Sequence, residues 1–117
     1  MSGIVFFRTN QPQALRGFYE DRVGMEVWLE QEDCTIYKHG NLLLGFCLRE
    51  DRDSCGIITF FFDTEEEVDA MYEAFRREAE AEPKLNEKYG IYHFFVRDPE
   101  GRLVEFQQFL ESPSGGC

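Results

Sequence analysis

The sequence repeats itself. Ile4 to Glu20, IVFFRTNQPQALRGFYE, lies without a gap over Ile57 to Glu73, IITFFFDTEEEVDAMYE, at an offset of 53 residues. Ile4 meets Ile57, Phe7 meets Phe60, Leu15 meets Val68, and Tyr19-Glu20 meets Tyr72-Glu73. Near the end of each half, Leu43-Leu44-Gly45-Phe46 lies over Leu103-Val104-Glu105-Phe106. Such self-similarity means two copies of one supersecondary unit. A chain of 117 residues has little room for two independent cores. One domain of two units is therefore expected, at about 4–49 and 57–109. The small, polar stretch 111–117 is expected to be a mobile tail.

Local patterns give the order of elements within each unit. Ile4 to Thr9 alternates and is rich in bulky residues, as a strand requires. Asn10 reads as a helix cap with Pro12 in the first turn, and Gly24 as the stop. Met25 to Gln31 reads as a strand. Cys34 to Lys38 and Asn41 to Leu48 form a hairpin through His39-Gly40. The pattern restarts with an apolar strand, Ile57 to Phe62. Thr64 and Glu67 make a capping box, and Val68, Met71, Tyr72 and Phe75 form one helical stripe. Glu82 to Tyr89 reads as irregular. Ile91 to Arg97 and Arg102 to Phe109 pair around Asp98-Pro99-Glu100-Gly101, with Pro and Gly where a tight turn needs them. The fold class is α+β, each unit running strand, helix, three strands.

Charge narrows the partners. There are 12 Lys and Arg against 23 Asp and Glu, a net charge of −11. Phosphate binding runs on clustered basic residues, so no nucleic acid is expected. Anionic membrane surfaces are equally disfavoured. More than half of this charge lies on Thr64 to Glu82, with eight acids and two Arg, and reads as a solvated helix face. No run reaches the ~18 apolar residues of a spanning helix. Met1-Ser2-Gly3 leads straight into the first strand with no basic and apolar leader, so a cytoplasmic location is expected. There Cys34, Cys47, Cys55 and Cys117 are expected to be free thiols, since none forms a C-x-x-C pair. The 12 Phe exceed what a small core needs and point to an aromatic-lined cavity or a subunit contact.

Two βαβββ units, Phe18-Tyr19 followed by Val23-Gly24-Met25-Glu26-Val27, and the closing Asp98-Pro99-Glu100-Gly101-Arg102-Leu103-Val104-Glu105 resemble the vicinal oxygen chelate superfamily. Glyoxalase I, bleomycin-resistance proteins and extradiol dioxygenases belong to that group. The resemblance spans roughly Ile4 to Phe109. It implies curved sheets around a cleft with the helices outside, and a homodimer. It also implies a divalent metal holding two neighbouring substrate oxygens, with His, Glu or Gln ligands from the first and last strand of each unit.

Those ligand positions fall at Ile4, at Ile57, at Gly45 (or Leu44 after a slip of one) and at Glu105. Only Glu105 is of a ligand type, and one carboxylate does not hold a catalytic metal. No cofactor is therefore expected, a divalent metal being the lesser alternative. Strand periodicity puts Leu103, Glu105 and Gln107 on one face and Val104, Phe106 and Gln108 on the other. A hairpin closing about Glu100 sets Arg97 opposite Arg102 or Leu103, Phe95 opposite Glu105, and His93 opposite Gln107. His93, Arg97, Glu105 and Gln107 then form a polar strip on an apolar wall.

His93 and Glu105 are the candidate acid–base pair, with an ordinary cross-strand polar pair as the alternative. Arg8 reads as a partner for an acidic ligand or for Glu105, or as a plain salt bridge. Phe6, Phe61, Phe95, Tyr37 and Trp28 are candidate stacking walls, while Phe60 and Phe94 should face the helices. The function read from this is a metal-free homodimer that binds a small aromatic or cationic molecule in the cleft. The alternative is a metalloenzyme of the family, a lyase, isomerase or dioxygenase, with an atypical site around Glu105 and His93. A third possibility is an accessory subunit whose cleft is filled by its own Phe side chains.

Overall fold

The structure, a computed structural model, describes residues 1–110. The stretch 111–117, with Cys117, lies outside the described residues. The chain forms two compact units. The first is Met1–Ser54 together with the turn Asp98–Gly101, and the second is Cys55–Arg97 together with the chain from Arg102 onward.

The first unit begins with β1 (Val5–Thr9). Helix α1 (Pro12–Arg16) follows and continues as a π-helical stretch, Gly17–Val23. Strands β2 (Glu26–Glu30), β3 (Cys34–His39) and β4 (Leu42–Leu48) complete it. The sheet order is β1-β4-β3-β2, with β1 parallel to β4 and the other pairs antiparallel. The helical segment links β1 to β2 and buries Leu15, Phe18, Tyr19 and Val23. Tyr19 stacks on Phe46 at 5.0 Å, and Phe46 in turn stacks on Phe7 at 5.7 Å. Gly24 ends the helix in the left-handed region, φ 91°, as the sequence predicts.

Asn10 is not the helix cap. Gln11 occupies that position without a side-chain bond, and its N–H goes to the Thr9 hydroxyl (3.1 Å). Asn10 is engaged elsewhere: its N–H reaches the Glu100 carboxylate (3.0 Å) and its amide the Glu50 carbonyl (3.4 Å). The turn Asp98–Gly101 is a knot that buries its two carboxylates, Asp98 and Glu100. Tyr19 donates its hydroxyl to Asp98 Oδ2 (2.7 Å), and the Glu100 N–H goes to Asp98 Oδ1 (2.9 Å). Gly101, φ 86°, closes the turn onto the Asp98 carbonyl (2.9 Å). The closing motif thus has a structural role.

A second correction concerns the cysteines. Cys34 and Cys47 are register partners on β3 and β4, with Cα atoms 4.0 Å apart, and are joined as a disulfide. Their side chains project from facing positions of one ladder, so they are not free thiols. Among the described residues Cys55 is the free cysteine, and it is exposed.

The second unit repeats the topology. Strand β5 (Ile57–Phe62) is followed by α2 (Glu65–Phe75), β6 (Lys84–Asn86), β7 (Ile91–Arg97) and β8 (Leu103–Phe109). The order is β5-β8-β7-β6, with β5 parallel to β8. The Thr64–Glu67 capping box forms, and three Glu in the first turn complement the helix dipole. Strand β6 lies within the stretch read as irregular. Its three residues carry no alternating apolar signal and pair only along one edge of β7.

Phe60, Phe94, Val104 and Phe106 point to α2, where Phe106 stacks on Phe75 (5.3 Å) and Phe60 (5.7 Å). The odd-numbered residues of β5, β7 and β8 therefore line the opposite face. Among the described residues no helix is long and apolar enough to cross a membrane.

Candidate functional site

The last hairpin has the register that the sequence implies. His93 faces Gln107, Phe95 faces Glu105, and Arg97 faces Leu103. The parallel pair β5·β8 sets Thr59 beside Glu105. These odd-numbered residues converge on one buried polar cluster. Glu105 Oε2 lies 2.6 Å from His93 Nδ1, and Thr59 donates its hydroxyl to Glu105 Oε1 at 2.8 Å. His93, Glu105 and Gln107 are 7%, 8% and 7% exposed, so the cluster is nearly withdrawn from water.

With Glu105 ionised its carboxylate only accepts, so His93 Nδ1 donates, and the neutral imidazole then carries its lone pair on Nε2. Among the described residues neither His93 Nε2 nor the Gln107 carboxamide bonds to a protein group. Both residues line a cavity of about 650 Å³, whose walls include Ile57, Ile91, Phe95 and Phe109. Phe95 packs edge-on against the His93 ring at 5.1 Å. The rim carries Glu80, Glu82 and Lys84. Of these walls Ile91 is buried and Ile57 and Phe109 are open to solvent, so the cavity is a partly open apolar pocket with a few convergent polar groups, the ordinary make-up of a ligand site.

The other predicted residues are placed elsewhere. Arg8 is not paired with Glu105. Its guanidinium lies in the first unit on Asp53 Oδ1 (2.7 and 3.0 Å), and Asp53 Oδ2 accepts the Arg8 N–H (2.7 Å). That ring of bonds holds the guanidinium above its ordinary pKa, chiefly through the Asp53 hydrogen bond. Arg97 turns out of the polar strip to Glu80 (3.1 Å) because it ends its strand at the exposed edge. Phe61 is 61% exposed and leans edge-on against Phe109 (5.6 Å) without lining the cavity.

Phe6 lies in the first unit, where its ring covers Gly45 so closely that a Cβ there would have to push it aside. Tyr37 is buried in the core of that unit against Tyr19 and Phe46, not on a cleft wall. A separate opening of about 650 Å³ in that unit is lined by Ile4, Phe6, Trp28, Lys38 and Leu43. Sequence reasoning missed Thr59, Glu80 and Lys84. Thr59 had a signal, as the lone hydroxyl in IITFFF on the same face as Ile57. The rim residues had none, because they come from the short β6 and the segment before it.

The residues present do not fit the divalent ion that the resemblance implies. Ile4 and Ile57 offer only hydrocarbon, Gly45 offers no side chain, and both Glu105 oxygens are already bonded within the protein. Among the described residues no three His, Cys, Asp or Glu side chains are grouped to hold a metal.

Known proteins share this architecture. A lactoylglutathione lyase from Agrobacterium tumefaciens superposes with a TM-score of 0.75 at 22% identity, over 92% of each chain. A glyoxalase/bleomycin resistance protein/dioxygenase family enzyme from Burkholderia phytofirmans PsJN superposes at 0.79 with 18% identity, over 92% of this chain and 97% of its own. An integron cassette protein from the mobile metagenome of Halifax Harbour Sewage Outfall superposes at 0.78 with 14% identity, over 92% and 97%. At these identities the likeness is one of fold. No curated protein matches the chain in sequence. Residues 3–106, nearly the whole chain, do match the family model of that same group, so the chain belongs to the Glyoxalase/Bleomycin resistance protein/Dioxygenase superfamily.

Proposed function

We propose that the cavity of the second unit binds a small, flat, aromatic molecule, neutral or cationic, without a metal. The single observation that supports this reading most is the His93–Glu105 pair, buried, held by Thr59 and lining a cavity of about 650 Å³ with Phe and Ile walls. Cavities of roughly 300–1,000 Å³ enclose drug-sized ligands. Phe95 and Phe109 offer ring faces, and His93 Nε2 and Gln107 offer polar contacts. The excess of acids on the rim and on the whole chain favours a cation over an anion.

In this reading the protein works as a homodimer. The dimer is supported by large apolar groups left exposed in both units, among them Phe6 at 53%, Trp28 at 50%, Ile57 at 55% and Phe61 at 61%. Light scattering at micromolar concentration tests it, and a monomer there removes the dimer from the reading.

A thermal-shift screen of neutral, cationic and anionic aromatics tests the ligand site. A ligand present at 100 times its Kd stabilises by about 2.7 kcal/mol, which raises Tm by several degrees. Neutral or cationic members should raise Tm, and Phe95→Ala should weaken their effect. A screen in which no aromatic raises Tm would sink the reading. Stoichiometric Ni, Zn, Mn or Fe bound through Glu105 in the purified protein would sink its metal-free part.

A further inference from the structure

The polar groups of this cavity are ordered as binding alone does not require. Glu105 spends one carboxylate oxygen on Thr59 and the other on His93 Nδ1, so its own capacity to meet a ligand is taken up. The result is an imidazole fixed in one tautomer, its Nε2 lone pair without a protein partner among the described residues. Its cross-strand neighbour Gln107 is likewise without one. Directly opposite residues on an antiparallel pair have Cβ atoms about 5 Å apart. A proton acceptor and an N–H donor therefore stand within reach of the same small molecule.

We propose that this site moves a proton at carbon, without a metal, on a neutral aryl carbonyl compound that has an acidic C–H beside the carbonyl. The inference rests on the cavity being the ligand site. His93 Nε2 takes the proton from carbon. The C–H electron pair becomes the C=C bond of the enol, and the carbonyl π pair moves to oxygen, where the Gln107 N–H donates to the developing negative charge. The imidazolium then returns its proton to that oxygen, which leaves substrate and enzyme balanced and nothing oxidised or reduced. The reverse sequence restores the ketone.

Glu105 is a positioning residue, held in turn by Thr59: it sets the tautomer and faces the imidazolium that forms. Phe95 and Phe109 select an aryl group. Glu80, Glu82 and Glu105 outnumber Lys84 and disfavour an anionic substrate.

The test uses the full chain and 1-phenylbutane-1,3-dione, a neutral aryl diketone whose enol absorbs in the near ultraviolet. Binding is read by saturation-transfer NMR and tautomerisation by the absorbance change on dilution into buffer. The wild-type protein is expected to bind the probe and to speed its approach to equilibrium. His93→Gln, assayed at saturating probe so that any weakening of binding is compensated, should lose about 100-fold or more of that rate, the range for a general base. Glu105→Gln should retain binding within about twofold and lose about tenfold in rate. It should also move the His93 tautomer population in two-bond ¹⁵N–¹H spectra, which a purely structural role would not do.

Binding without acceleration, or acceleration that survives His93→Gln, overturns the inference and leaves the ligand site standing. Failure to bind this probe overturns the inference, and the ligand site falls with it only where the thermal-shift screen also finds no aromatic that raises Tm. If either variant fails to fold, the wild-type ¹⁵N spectrum still decides: Nδ1–H supports the proposal, and an Nε2–H tautomer of His93 overturns it.

Discussion

The two units share a topology, and the contrast between them is sharpest at one register position. In the second, parallel pairing sets Thr59 beside Glu105. In the first, the equivalent pair is Phe6 and Gly45. One residue further along, both units carry the same Phe on the helix face, Phe46 and Phe106. Where unit two has a carboxylate bonded to a hydroxyl and an imidazole, unit one has an aromatic ring lying over a bare backbone. The helix-side face answers to packing, and packing asks for the same residue twice. On the other face, where the proposed ligand site lies in the second unit, the copies have parted. Duplication thus supplies a scaffold twice while leaving each copy free to hold or to lose chemistry.

The strongest challenge to this comparison is made in the cores. Phe46 stacks on Phe7 and Tyr19, and Phe106 stacks on Phe60, Phe75 and Phe62. Each is almost fully buried. Phe46→Ala and Phe106→Ala should each cost about 3–5 kcal/mol in denaturant unfolding. If Phe46→Ala costs under about 1 kcal/mol, the helix-side faces are not equivalent and the comparison breaks.

Tyr19 and Tyr72, which match at the repeat offset, sharpen it next. Tyr19 is fully buried and donates to Asp98 (2.7 Å), whereas Tyr72 is half-buried and packs edge-on against Phe94 (5.5 Å). Tyr19→Phe takes a donor from a buried carboxylate and should cost about 1–3 kcal/mol. Tyr72→Phe should stay within about 0.5 kcal/mol. Equal costs would mean that the Asp98–Gly101 knot does not anchor the first unit.

Much of this was legible because it follows from period and turn chemistry. The faces of β7 and β8 follow from the two-residue strand period once Asp98-Pro99-Glu100-Gly101 fixes the hairpin, which is why His93, Phe95, Glu105 and Gln107 fell into place together. Thr64 and Glu67 announced their helix because a capping box is local. What stayed hidden depends on distance through space.

The Cys34–Cys47 bond needs the β3–β4 register, and compartment reasoning gave the opposite expectation. Arg8 is held by Asp53, from a polar connector with no pattern of its own. Asn10 was a good cap by residue type, yet Glu100, far along the chain, takes its N–H. Thr59 was visible as a lone hydroxyl, but its role needs the parallel β5·β8 register, which no turn sets.

A smaller effect probes the exchange of Glu for Gly directly. Any Cβ at residue 45 meets the Phe6 ring. Phe6 is 53% exposed and can swing aside, so Gly45→Ala should cost about 1 kcal/mol, the low end for overpacking. Combining it with Phe6→Ala should remove most of the coupling, since the two residues share one contact. If the double variant is no better than the sum of the singles, the ring does not occupy the space that a longer side chain holds in the second unit.

The smallest expected effect is electrostatic and separates two tyrosines by cause. Tyr37, in the first unit, has its phenol pushed up mainly by burial. Tyr92, in the second, is pushed up to about 12, mainly by its hydrogen bond to Asp69 (2.6 Å). For a phenol raised in the folded state, the protonated form is favoured by folding. Its contribution is whole below the ordinary value near 10, declines above it, and is gone once the pH passes about 12. Asp69→Asn should therefore bring the Tyr92 ionisation down toward 10 in a tyrosinate absorbance titration and leave that of Tyr37 where it is. Because Tyr92 stands at a half-exposed site, solvent screens the pair and the change in stability should be small, seen only above pH 10. A shift of Tyr37 on the same substitution would show that charge on α2 reaches the first unit, and the two copies would then not titrate independently.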